Sequence, residues 1–177
     1  MSRTLSTSDA RRQEVDAVAV EVFSRRGFYA TTTTEIARAA GISQAYLYKL
    51  YPDKTSLFVA ALKHCGARLA ALVEELLARD EDGERALRSA AGDIAGDRDL
   101  VRFLAHAACA AHEPEIRAAV AECYATQYAV IRAHSALPDE AIRRYFAESL
   151  LDNQMRVIGA DRTDAPWARA LTGTTPA

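Results

Sequence analysis

Two sets of side chains in this 177-residue sequence have the types and spacing for chemistry. His106, Cys109 and His112 recur at three-residue steps. Each such step turns a helix by about 300°, so the three side chains would share a sector of about 120°. Imidazole and thiolate on one face are ligands for zinc or copper, with His64-Cys65 as a further pair. A buried cysteine between two half-exposed histidines gives the same pattern, since free cysteine is among the most buried residue types. Tetrahedral sites seldom draw three ligands from one short helix. No metal and no cofactor is therefore expected, and metal or thiol sensing stays as an alternative.

The second set lies nearer the N-terminus. Gln44, Ala45 and Tyr46 open a short helical segment. Glutamine pairs bidentately with adenine, and alanine or a tyrosine ring meets a thymine methyl. Around them stand Thr32, Ser43, Tyr48, Lys49 and Lys54, hydroxyls and cations suited to phosphate contacts, which carry position rather than sequence. Catalytic signatures are missing: there is no Gly-x-Ser-x-Gly elbow, phosphate-cradling glycine loop or His-Glu-x-x-His. Carboxylate pairs such as Glu74-Glu75 belong to solvated helix faces. An enzyme is not expected.

The elements that must position these groups are helices. Alanine accounts for 37 residues, against 8 glycines and 5 prolines, a composition that predicts an all-α protein. No run approaches the roughly 18 unbroken apolar residues of a membrane span. The first residues lack the apolar stretch of a signal peptide, and three cysteines at no framework spacing suit a reducing compartment. A cytoplasmic location is expected. Net charge is -2, but residues 1–64 hold nine Lys/Arg against six Asp/Glu, and residues 65–177 hold thirteen against eighteen. An acidic body repels phosphate, which confines any DNA contact to the basic front.

Val15, Val18, Ala19, Val22 and Phe23 form the stripe of an amphipathic helix from Asp9 to Arg26, ended by Gly27. Thr32 with Glu35 is a capping-box pair, and the short helix it opens stops at Gly41. Ser43 caps a second short helix, with Ile42 and Leu47 as a hydrophobic staple. Two short helices around a glycine turn make a helix-turn-helix, whose second helix fits the major groove. On spacing alone, a helix pair that binds nothing is an equal reading. Further helices are predicted over 54–79, near 84–95 and 98–111, and over 114–134 and 139–158, with Gly66 a weak point in the first. Residues 1–8 and 161–177 read as flexible tails.

The residues between Arg25 and Phe58 narrow this further. Gly27-Phe28, Thr31-Thr32, Ile36-Ala37, Ala40-Gly41-Ile42-Ser43, Leu47-Tyr48, Tyr51, Lys54 and Leu57 stand in the order and spacing of the TetR family of transcriptional regulators, which this stretch resembles. The resemblance covers roughly residues 9–58. It implies a three-helix DNA-binding head (9–54) on a helical effector-binding and dimerisation body (55–160) that works as a homodimer on double-stranded DNA. It implies base contacts from Gln44 to Tyr46 and phosphate contacts from Thr32, Tyr48 and Lys54. Repression relieved by a small molecule is the family's common mode, and a constitutive dimer without effector is the alternative. Tyr46 replaces a small Thr common in the family, and Leu50-Tyr51 replaces a pair usually ending in Phe.

In the body the expectations are less specific. Val120, Gln127 and Ile131 share a stripe with Tyr124 and Tyr128; Ile142, Phe146, Leu150 and Val157 share another. These stripes either pack inside the monomer or form a dimer interface, and the resemblance favours the interface. Arg102, His106, Tyr124, Tyr128 and Asn153 are polar groups on apolar helices, candidates for orienting a ligand. The helix opening at Lys54 is expected to couple head and body.

Overall fold

The computed structural model describes residues 7–172, and every regular element among them is helical. The order is α1 (Thr7–Ala30), α2 (Thr33–Ala39), α3 (Gln44–Leu50), α4 (Lys54–Arg79), α5 (Gly83–Gly96), α6 (Arg98–Cys109), α7 (Pro114–His134), α8 (Asp139–Val157), a 3-10 turn (Ala160–Arg162) and α9 (Pro166–Thr172). Side-chain caps fix most of the starts. Thr32, Ser43, Asp53, Asp82 and Asp97 each accept a hydrogen bond from the backbone N–H three residues on. Pro114 opens α7, where a missing N–H costs nothing.

Four phenylalanines join the first half of the chain to the second. The Phe58 ring on α4 lies 4.7 Å from Phe23, 5.3 Å from Phe28 and 5.0 Å from Phe103, centroid to centroid. Phe23, Phe58 and Phe103 are fully buried. A second cluster, around Val73, Leu77, Leu87, Ile131, Ile142 and Tyr145, packs the far end of α4 against α5, α7 and α8. Among the described helices α4 alone is long and apolar enough to cross a membrane, and its apolar residues are spent inside these two clusters instead.

Gly27 ends the regular first helix as expected: at φ 72° and ψ -176° its backbone is not helical, and a short helical stretch beyond the kink runs to Ala30. Two expectations are corrected. Gly66 is no weak point: a Cβ there would stand 2.7 Å from the Cys123 sulfur, so its bare backbone lets α7 lie close on α4. Residues 161–172 are not a loose tail. Arg98 binds Asp161 at 2.8 Å, and Ala168 of α9 is buried with Met155 and Ala160. The remaining tail residues, 1–6 and 173–177, lie outside those described.

Candidate functional site

The helix-turn-helix is assembled almost wholly from short-range bonds. Thr32 Oγ1 accepts from the Glu35 N–H at 3.2 Å, while Glu35 Oε2 accepts from the Thr32 N–H at 2.8 Å. Those bonds hold the Glu35 carboxyl below its ordinary range. At the other end of α2, the N–H of Ile42 reaches Ala37 O at 3.0 Å and that of Gly41 reaches Arg38 O at 3.2 Å. This Schellman pair needs a left-handed residue at position 41, and Gly41 supplies φ 63°. Ile42 packs on the cluster that buries Leu47, which sets the angle at which α3 leaves the turn.

The face so presented carries Gln44 and Ala45 exposed, with Tyr46 half-buried. Ser43 and Lys49 are exposed beside them. Tyr48 shares a 3.0 Å hydrogen bond with Thr33, and Gln44 Nε2 donates to the same hydroxyl at 3.4 Å. Thr33 was not singled out in the sequence. It is the residue that ties α2 to the exposed side of α3, and its place directly after the cap was the available signal. Thr32, expected to face phosphate, has its hydroxyl engaged by Glu35. Lys54 is likewise turned inward. Its ammonium sits 4.7 Å over the Phe28 ring and donates to Tyr29 O and Thr31 O, both at 3.3 Å. Two of its three donors therefore hold the α1–α2 link rather than facing outward.

Tyr51 explains its own departure from the family pattern. The ring is buried, and its hydroxyl donates to Asp16 Oδ1 at 2.7 Å, fixing the α3–α4 link to α1. Burial and the Asp16 carboxylate push that hydroxyl above its ordinary range, and burial likewise raises Asp16.

The body holds a cavity of about 460 Å³. Arg102, His106, Tyr124 and Asn153 line it; Tyr128 does not, and its hydroxyl instead bonds Asp139 at 3.4 Å. The expected interface stripes divide. Val120, Gln127, Phe146, Leu150 and Val157 line the same cavity. Ile131 and Ile142 are sealed in the chain's own core at 0% and 2% exposure, so neither is free to meet a partner. Exposed along α7, α8 and the α8 cap are Tyr124, Tyr128, Leu150, Leu151 and Ile158, of which Tyr124 and Leu150 also edge the cavity. His106, Cys109 and His112 do not converge. His106 turns to the cavity, Cys109 is exposed, and His112 stacks on Tyr29 at 5.5 Å, so no metal-holding group forms among the described residues.

Head and body also meet away from α4. Tyr29 donates to Glu113 at 2.8 Å and shares a hydrogen bond with His112 Nε2. The His106 ring fills the space beside Gly27, where a Cβ would lie 2.7 Å from Nδ1. So α1, lying along α6, joins the two halves as α4 does. The helix opening at Lys54, expected to couple head and body, is thus not the one element that joins them.

Residues 17–61 match the family described as "Bacterial regulatory proteins, tetR family". The match places this stretch, the helix-turn-helix head, in that family. The HTH-type transcriptional activator FasR of Mycolicibacterium smegmatis is 35% identical over 82 residues, which cover 46% of this chain and 37% of FasR. The chain thus spans little more than a third of that relative's length. A TetR family transcription regulator from Marinobacter aquaeolei VT8 superposes with a TM-score of 0.66 at 21% identity, covering 93% of each chain. FadR from Bacillus subtilis, solved in complex with stearoyl-CoA, gives a TM-score of 0.68 at 16% identity, covering 90% of this chain and 95% of that one. At such identities the likeness establishes a common fold and nothing finer.

Proposed function

We propose that this chain with a tetR-family head is a cytoplasmic, non-enzymatic regulator that binds a near-palindromic DNA operator as a homodimer, represses, and is released by a small molecule in the body cavity. The observation that carries the reading is one contact: His106 is at once a wall of the cavity and the neighbour that crowds the Gly27 kink. Beyond that kink the chain runs through Tyr29 and Thr31, held by Lys54, straight into the capped α2. A ligand pressing on His106 would therefore tilt the head. A ligand shifts such an equilibrium only by its differential affinity for the two arrangements.

On the DNA side, Gln44, Ala45 and Tyr46 read bases from the exposed turn of α3. Ser43, Tyr48, Lys49 and the Thr32–Thr33 segment at the start of α2 anchor phosphates, with Lys54 holding that segment in place. One recognition helix per chain makes a two-fold dimer the simplest way to gather enough contacts. The second copy docks on the exposed face of α7 and α8, at Tyr124, Tyr128, Leu150, Leu151 and Ile158. The stearoyl-CoA held by FadR within this fold supports reading the cavity as a ligand site.

The test is reciprocal. Titrating the protein with an effector candidate, with and without selected operator DNA, should give weaker ligand binding in the presence of DNA by the same factor that ligand weakens DNA. Equal affinities would leave a constitutive DNA-binding dimer. A monomer binding one half-site as tightly as two would remove the dimer.

A further inference from the structure

Resting on the reading of the cavity as a ligand site, we infer that its ligand is an apolar chain or ring system ending in a carboxylate, seated between Arg102 and His106 of α6 and Asn153 of α8. The wall decides the charge. Of the side chains lining the cavity, Arg102 alone is permanently charged, and no aspartate or glutamate faces it. Arg98, one turn earlier on α6, is tied to Asp161 at 2.8 Å, whereas Arg102 has no ion-pair or hydrogen-bond partner among the described residues. Residues four apart on a helix share a face, so Arg102 and His106 present two basic groups to the same space. A cationic ligand would meet an uncompensated guanidinium there. A carboxylate meets a planar fork that matches its two oxygens.

Asn153 supplies the third element. Its Oδ1 is buried and makes no hydrogen bond, although the residue lines the cavity. The oxygen is closed off, so the N–H2 end of the amide is the one left to face the cavity, where its donors can meet a carboxylate oxygen. The rest of the wall is apolar: Leu62, Leu69, Ile94, Leu104, Val120 and Phe146 would hold a hydrocarbon body. The volume of about 460 Å³ lies within the usual range for small-molecule sites.

Three probes with the same alkyl chain and different heads isolate the inference: dodecanoate, dodecan-1-ol and dodecyltrimethylammonium, each titrated calorimetrically below its micelle concentration into the full chain without DNA. Dodecanoate should bind about tenfold or more tighter than the alcohol, and the ammonium weakest. Arg102→Gln, at an exposed position that leaves the fold intact, should weaken dodecanoate about ten- to a hundredfold and leave the alcohol within about twofold. An alcohol that binds as tightly as the carboxylate, or an R102Q protein that binds dodecanoate normally, overturns the carboxylate inference while the ligand site stands. If none of the three binds, the ligand-site reading falls and takes the inference with it.

Discussion

The head and the body of this chain treat their polar groups in opposite ways. In the segment from Thr31 to Lys54 the cap hydroxyls, the Glu35 carboxylate, Gln44, Tyr48 and the Lys54 ammonium are all bonded within the head, and only Thr31 Oγ1 is buried without a partner. In the body, Arg102 lines a cavity with no partner, and Asn153 Oδ1 is buried behind the cavity wall unbonded. A head whose bonds are closed holds one shape and offers the same face to every partner. A body with open valences is incomplete until something fills it. Stability has therefore been placed in one half and left available in the other, the division that the proposed pairing of a rigid reader with an adjustable sensor requires.

The largest effect should come from the joint between them. Phe58→Ala removes the ring that meets Phe23, Phe28 and Phe103, and should cost about 3–5 kcal/mol. Because those rings belong to α1, α4 and α6, head and body should still melt in one transition, displaced to lower temperature. Thermal melts followed by far-ultraviolet circular dichroism and by a probe on the head test this. Two separated transitions would mean that the halves are independent and that the aromatic cluster does not join them.

Next comes the contact that links the two behaviours. Gly27→Ala forces a side chain into φ 72° and towards His106 Nδ1, and should destabilise by about 1–3 kcal/mol. Adding His106→Ala should return part of that loss, since it removes the crowding and leaves the backbone strain. A double-mutant cycle by urea denaturation reads the coupling. A coupling of zero would disconnect the cavity from the kink.

The head's exposed face should give a smaller effect on binding and almost none on folding. Gln44→Ala should flatten preference at one position of the half-site, worth about 1–3 kcal/mol there, with stability unchanged within about 0.5 kcal/mol. Selection of bound sequences reads the preference, and an unaltered logo would move the reading turn elsewhere. Lys54→Ala should do the reverse, lowering stability through the freed Tyr29–Thr31 link while weakening all sequences alike.

What could be read from the sequence follows the same division. The α4 bounds at 54 and 79 and the α7 bounds at 114 and 134 are those expected, because Asp53, Pro114 and the turn residues that set them act locally. The Thr32–Glu35 box and the Gly41 turn were legible for the same reason. The junction was not: Tyr29 meets His112 across 83 positions, and no local pattern announces a pairing that tertiary packing creates. Nor was the division of the α7 and α8 stripes. Ile131 and Val120 share a helical face in the sequence, yet one seals a core and the other lines a cavity, a distinction made by the helices opposite. The tail failed differently. Its short α9 is held by burial of Ala168, and an alanine gives no signal of being buried.

The smallest effect is the one that probes the open half most directly. Asn153→Leu replaces an unbonded amide by an apolar side chain of similar volume. Removing a buried polar group that has no partner takes away a desolvation cost without opening a cavity. The ligand-free protein should therefore gain stability, by about 0.5–1 kcal/mol, read as a melting temperature raised by a few degrees. A corresponding change in the head, Thr32→Ala, removes a bonded cap and should lose about 1 kcal/mol. Opposite signs from two polar-to-apolar changes are what closed and open bonding demand. If Asn153→Leu destabilises instead, its amide is already satisfied in the free protein, and the body does not differ from the head in leaving that polar group unbonded.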